Sequence, residues 1–273
     1  MSEPLRLLAV MAHPHDWTWV SGTLCLHARA GDRVTVCSVT HGGATHRERF
    51  LDEMARPEAE RDPAIVGEPV EAYTGRKEQE MRQAAALFGI EDVRVLGFDD
   101  KPFTRQEQPQ AIDAIRELIV EVAPDILITE NPYGDSGFRM AHRTDHTEVG
   151  RAVLEARDRA ATPRAGRPHR VAVTYFSGIM FDTSQVTCGV ELSDEIVELR
   201  VQAEACYRTQ EHDPERARRR IEMELAHLGR VMRTRYAETF VQESPALLGR
   251  LAAPERMLAA SREGRVQRIR RLM

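Results

Sequence analysis

The feature that most constrains the fold of this 273-residue chain is a repeated alternation of short apolar runs with longer helix-compatible segments. Leu5 to Ala12 is almost wholly apolar, short, and closed by a His-Pro step, so it reads as a strand buried on both faces. Val20 to Ala30 is helix-compatible and stops at Gly31-Asp32, after which Arg33 to Thr40 forms a β-branched strand ending at His41-Gly42-Gly43. The same reading gives helices over Glu78 to Phe88, Ala111 to Val122 and Thr147 to Ala160. They alternate with strands over Val93 to Phe98, Asp125 to Thr129 and Val171 to Ser177. Two further helices are expected over Ser193 to Tyr207 and Glu215 to Arg233, with the Met and Leu positions from Met223 to Met232 serving as core or interface. Strands separated by helices predict an α/β fold with a mostly parallel sheet and helices on both faces. Ala44 to Val70 has no clean period and holds Pro57, Pro63 and Pro69, so it is expected to be a long irregular excursion.

Composition narrows the class. The 38 Lys and Arg against 43 Asp and Glu give a net charge of −5, and 42% hydrophobic with 30% charged residues excludes a mostly disordered chain. No uncharged apolar run approaches the roughly 18 residues of a membrane span. Met1-Ser2-Glu3-Pro4 lacks the positive charge of a signal peptide, and the four cysteines show no disulfide or thiolate-zinc spacing, so a cytoplasmic location is expected. Overall acidity argues against nucleic-acid binding, and the basic runs Arg216 to Arg220 and Arg265 to Arg271 read as solvated helix faces.

In open parallel sheets, ligands bind beyond the carboxyl ends of the strands. In this chain histidines and aspartates concentrate there, in His13-Pro14-His15-Asp16-Trp17, His41-Gly42-Gly43, Phe98-Asp99-Asp100-Lys101 and His142-Arg143-Thr144-Asp145-His146. A single-metal hydrolase needs about three protein ligands and an open position for water. His13 and Asp16, three apart in a tight turn, and His146 from a second loop supply two imidazoles and a carboxylate. Without thiolate, such a set points to zinc first and to iron(II), cobalt or nickel next. The competing reading makes each histidine a hydrogen-bonded structural residue. No GxGxxG, GxSxG or Walker pattern is present, which removes support for dinucleotide, serine-hydrolase and NTPase readings.

These residues, in their order, resemble the LmbE-like, PIG-L-type zinc de-N-acetylases. The resemblance is carried by Ala12-His13-Pro14-His15-Asp16, Ser21-Gly22-Thr23-Leu24, Gly31-Asp32-Arg33-Val34-Thr35-Val36, Lys77 with Glu80, and Val95-Leu96-Gly97-Phe98-Asp99. It continues through Asp145-His146-Thr147-Glu148-Val149-Gly150 and Arg235-Tyr236-Ala237-Glu238-Thr239-Phe240. It implies a Rossmann-like fold and one zinc ion held by His13, Asp16 and His146, where activated water attacks an acetamide carbonyl to release acetate and an amine. Two departures stand out. The family's general base is an aspartate, and His15 occupies that position. Its reference pKa of about 6.5, against about 3.9 for aspartate, suits a base near neutral pH. His15 reads alternatively as a metal ligand or as the mark of a degenerate site. The family's second motif begins with a histidine, whereas here Arg143 lies three residues before His146 and His142 four. Either would stabilise the oxyanion, and His142 could also donate a proton.

Asp145 matches the family aspartate and is expected to orient an imidazole or to cap a helix. Trp17 is expected as a ring-binding wall or as core, and His41 and Tyr133 as substrate contacts or turn residues. Arg76 and Lys77 are expected to bind substrate hydroxyls or anions, or to mark a solvated helix start. The resemblance implies an N-acetylated glycoside or amino-sugar substrate. The alternatives are cleavage of another amide, such as that of a thiol conjugate, and a noncatalytic metal- or sugar-binding protein. Residues 1–245 are expected to form the deacetylase domain and 246–273 a basic helical tail, which is either an interface helix of a homo-oligomer or a solvated end.

Overall fold

The computed structural model describes residues 3–100, 108–133, 145–162 and 167–272, with the Met180 side chain excepted. A seven-stranded sheet runs in the order β3-β2-β1-β4-β5-β7-β6. Its strands are β1 Arg6–Met11, β2 Arg33–Thr40, β3 Asp92–Phe98, β4 Ile126–Thr129, β5 Val173–Ser177, β6 Cys188–Glu191 and β7 Ala237–Gln242. The first five pair in parallel. β7 joins β5 and β6 antiparallel, so the sheet is mixed, and mostly parallel as expected.

β1 sits at the centre because both its faces are apolar. Leu7, Ala9 and Met11 enter one core with Trp17, Leu24, Met81 and Phe88. Leu8 and Val10 enter the other, with Ile115, Ile119, Leu127, Val149 and Val153. A strand buried on both sides must read as an unbroken apolar run, and this one does. Helices α1 Ser21–Arg29, α2 Glu48–Ala55, α3 Pro63–Val66, α4 Val70–Ala86, α5 Gln108–Val122, α6 Asp145–Ala160, α7 Asp194–Glu204 and α8 Pro214–Met232 surround the sheet. Two short helices, α9 Glu255–Ser261 and α10 Arg265–Leu272, follow β7.

Two expectations need correction. The stretch from Ala44 to Val70 is not irregular: it holds α2, a 3-10 turn at Glu58–Glu60 and α3, and α4 begins at Val70 rather than Glu78. Its prolines punctuate helices. Pro63 occupies the first turn of α3 and Pro69 the N-cap of α4, where a missing N–H costs nothing. β6 and β7 were not anticipated as strands, because buried Glu238 and Thr239 interrupt the apolar pattern of β7.

The chain runs outward from β1 through β2 to β3, then crosses back to lay β4 on the other side of β1. That reversal opens a crevice at the carboxyl ends of β1 and β4, where an α/β sheet places its ligand.

Candidate metal centre

His13 lies two residues beyond β1 and Asp16 starts a 3-10 turn, Asp16–Val20. The turn is closed by Asp16 itself, whose Oδ2 accepts the His13 backbone N–H at 2.8 Å. His146 is the second residue of α6, across the crevice. One ligand atom from each of His13, Asp16 and His146 lies within 4.8 Å of the others, and among the described residues no other group of three or more such side chains is so gathered. Asp16 is fully buried and His13 is 1% exposed.

Carboxylates back both imidazoles. His13 Nδ1 lies 2.9 Å from Asp16 Oδ2, and its Nε2 lies 2.8 Å from Asp145 Oδ2 and 3.2 Å from Thr45 Oγ1. His146 Nδ1 is 3.0 Å from Glu130 Oε2 and 3.5 Å from Asp16 Oδ2. Burial opposes protonation of both rings. The Asp16 charge and hydrogen bonds to Asp145 and Asp16 nevertheless raise His13 to about 9, and Glu130 and Asp16 raise His146 to about 10. Burial likewise opposes ionisation of Asp16, but the surrounding imidazoles hold it well below the usual carboxylate range.

The set fits a divalent transition metal. Asp16 Oδ1 is buried without a hydrogen-bond partner, and an N/N/O donor set is one that zinc accepts. His13 and Asp145 form the carboxylate–histidine arrangement that fixes the orientation of a liganding ring.

His15 is 6% exposed; its Nε2 is 3.2 Å from Asp16 Oδ1 and its Nδ1 has no hydrogen-bond partner. Burial, with only Asp16 opposing, keeps it well below the usual imidazole value, so the ring is neutral. His41 Nε2 is 2.8 Å from Asp99 Oδ1, Tyr133 is 55% exposed, and Arg76 is ion-paired with Glu68 at 2.6 Å.

Two substrate-contact expectations are corrected. Trp17 is fully buried, packs edge-on against Phe88 and donates its indole N–H to Tyr207 Oη at 2.9 Å, so it is core. Lys77 is also fully buried. Its ammonium donates to the carbonyls of Gly42 and Thr45, both at 2.8 Å, and so shapes the turn after β2 instead of meeting solvent. His142 and Arg143 lie outside the described residues.

Sequence reasoning passed over Thr45 and Trp19 and gave no role to Glu130 or to Asp100. Glu130 is fully buried directly after β4, and its Oε1 accepts the Ala12 N–H at 2.9 Å, tying β4 to the metal turn. A carboxylate immediately after an apolar strand was the available signal. Thr45 links His13 to buried Asp100. Trp19 lies over His146 with ring centroids 5.5 Å apart.

A mostly parallel sheet with a His/Asp/His group at its switch point, able to hold a metal ion, defines a class of α/β proteins. Within that class, residues 8–157 match the family model described as PIG-L: GlcNAc-PI de-N-acetylase, and the chain belongs to this family. It is 31% identical over 193 residues, 64% of its length, to a 1D-myo-inositol 2-acetamido-2-deoxy-α-D-glucopyranoside deacetylase of Streptomyces griseus, and spans 56% of that relative. It is 31% identical over 172 residues, covering 62% of this chain and 68% of the relative, to a probable N-acetyl-α-D-glucosaminyl L-malate deacetylase 2 of Bacillus cereus. Among solved structures, N,N'-diacetylchitobiose deacetylase from Pyrococcus horikoshii aligns with a TM-score of 0.66 at 17% identity, covering 88% of this chain and 84% of that one. The hydratase GalB from Pseudomonas putida KT2440 aligns with a TM-score of 0.67 at 18% identity, covering 91% and 100%. At such identities the structural likeness speaks to fold alone.

Proposed function

We propose that this protein is a metal-dependent hydrolase that removes the N-acetyl group from an amino sugar or amino-sugar-containing metabolite. The observation that carries the reading is the His13, Asp16 and His146 group, gathered within 4.8 Å at the sheet's switch point in a chain of the PIG-L family. Both relatives above carry names that describe deacetylation of N-acetylated glucosaminyl compounds.

His13, Asp16 and His146 would hold the ion, which is expected to be zinc at one per chain. When bound, it supplies Lewis acidity toward an amide carbonyl and makes water nucleophilic at neutral pH. Asp145 and Glu130 fix the two imidazoles. His15, neutral at working pH, takes up a proton, and its unpartnered Nδ1 accepts one without breaking an existing hydrogen bond. His142 or Arg143, the two candidates that the sequence offers, would stabilise the oxyanion.

The test is elemental analysis of protein purified without added metal, paired with acetate release from N-acetylglucosaminyl glycosides. Zinc near one per chain that is lost in His146→Ala, together with acetate release by the parent, is the expected result. Failure of the parent to bind or take up any transition metal would overturn the hydrolytic reading.

A further inference from the structure

A second group of imidazoles surrounds His15. The ring centroids of His46 and His212 lie 5.1 and 6.4 Å from that of His15, and both rings stand at 84° to it. Two imidazoles on one tetrahedral zinc ion, with bonds of about 2 Å, have centroids about 5 Å apart. His13 and His146 stand at 4.8 Å. The second group is therefore less tightly gathered than the first, and the two meet at Asp16, whose Oδ1 lies 3.2 Å from His15 Nε2.

Each of the three rings has a carboxylate at one nitrogen and leaves the other uncommitted. Asp16 stands at His15 Nε2, and His15 Nδ1 is buried without a hydrogen-bond partner. Glu48 Oε1 lies 2.9 Å from His46 Nδ1 and Glu204 Oε1 lies 3.0 Å from His212 Nδ1, with no partner for either Nε2 among the described residues. The same arrangement occurs at His146 with Glu130, and it is the one in which a carboxylate orients a ring toward an ion. A purely structural cluster would satisfy its buried nitrogens from within, and His15 Nδ1 is left over. Burial keeps His46 and His212 below the usual imidazole value, so both are neutral, the form that ligates a metal. Left-handed backbone brings both rings to His15: φ is +54° at His46 and +56° at Glu211, directly before His212. Such strain in a side-chain-bearing residue persists only where its surroundings hold it, and it clusters at functional sites. Here an ion pair between Arg49 and Glu211 ties the two segments together. The Tyr207 hydroxyl donates to the Pro14 carbonyl at 2.8 Å, fixing the His212 segment against the turn that carries His15.

We propose that His15, His46 and His212 form a second site for a divalent transition metal ion, zinc first, beside the His13, Asp16 and His146 centre. The donors are His15 Nδ1 and the Nε2 atoms of His46 and His212, and three imidazoles are a set that zinc accepts. The His212 ring has to swing inward from its 6.4 Å separation, so this site is the weaker one. It stays empty in protein purified without added metal and fills when zinc is in excess. Its ion takes the His15 nitrogen assigned to proton uptake, so loading the site slows turnover, a consequence that rests on the deacetylase reading.

The test is calorimetric titration of chelator-stripped protein with zinc, together with elemental analysis after equilibration in excess zinc. The parent is expected to bind two ions per chain, one tightly and one weakly. His46→Ala and His212→Ala should each fall to one, and the tight ion they retain reports that they are folded. His146→Ala should lose the tight ion and keep the weak one. Saturation of the parent at one ion, or a second ion that survives both His46→Ala and His212→Ala, overturns the site. Turnover checks the consequence separately: excess zinc should inhibit the parent and not His46→Ala. A two-ion parent that works at full rate overturns the link to His15. Absence of turnover at any zinc concentration would count against the deacetylase reading alone, since the ion counts still decide the site.

Discussion

At the scale of single residues, the imidazoles of the candidate metal centre hold protons that a bound ion would have to displace. Folded His13 and His146 titrate at about 9 and about 10, above the 6.5 of an unperturbed imidazole, so near pH 7 both rings are charged. A histidine must be neutral to ligate a metal. Binding of one divalent ion at pH 7 is therefore expected to release about two protons, read from the dependence of calorimetric enthalpy on buffer ionisation enthalpy. The linkage has a definite sign. Folded-state pKa values raised above the unfolded ones make the native state bind more protons, so this contribution is fully present below about pH 6.5 and is lost as pH rises through 9 to 10. The chelated protein should thus lose Tm across that window while the zinc-loaded protein loses less. A flat Tm in chelator from pH 6 to 10 would contradict the paired-imidazole picture. His15 is a separate case, since burial keeps it neutral. His15→Ala should lower kcat about a hundredfold or more with the zinc content unchanged. Loss of zinc in that variant would instead make His15 a ligand. The grouping of His13, Asp16 and His146 was legible in the sequence because few residue types suit such an ion. The roles of Glu130 and Lys77 were not, because a buried charge takes its meaning from partners such as the Ala12 N–H and the Gly42 carbonyl, which lie far away in sequence.

At the scale of elements, the metal turn is held from behind by a strand distant in sequence. α1 begins directly after the 3-10 turn that carries Asp16, and its N-cap residue, Val20, offers no side-chain cap. Glu238 of β7 fills that role. Its carboxylate accepts the Gly22 N–H at 2.8 Å and the Thr23 N–H at 2.7 Å, with buried Arg200 3.5 Å away. A side chain at Gly22 would collide with Leu192 at 2.8 Å, so the close approach depends on glycine there. Two motifs that are separate in sequence, Ser21-Gly22-Thr23-Leu24 and Arg235 to Phe240, are therefore halves of one contact. Removing one partner of a buried charged contact typically costs about 3–5 kcal/mol. Glu238→Ala should reduce stability by about that amount in urea titrations, and a loss under about 1 kcal/mol would show that the cap is dispensable. The same contact explains why β7 was missed: its inward positions hold a carboxylate and a hydroxyl in place of alternating aliphatics. β1 and β2, buried on both faces, were legible almost to the residue.

For the whole molecule, the sheet and the three hydrophobic clusters packed around it lie within the chain up to β7, and the described residues beyond that strand have a different character. None of the described residues from 246 onward is buried, and Leu247, Leu251, Met257, Val266 and Ile269 are more than half exposed. The segment's polar ties to the body include Arg256 with Glu191 and Arg271 with the Arg233 carbonyl. An exposed ion pair such as the first contributes at most about 1 kcal/mol and a hydrogen bond such as the second about the same, and no helix among the described residues is long and apolar enough to cross a membrane. We propose that residues 1–245 form the domain that carries the candidate metal centre and that 246–273 are an appended basic helical tail. Truncation ahead of Glu243 would cut into the end of the sheet, because the Glu243 N–H donates to the Thr174 carbonyl at 3.1 Å and its carboxylate pairs with Arg157. Truncation after Pro245 removes only the exposed segment. The shortened chain should keep its zinc content and lose less than about 2 kcal/mol in denaturant titration. If it loses zinc or unfolds, the tail is part of the domain, and the apolar side chains it exposes must be covered in solution, by a second copy or by chain beyond it.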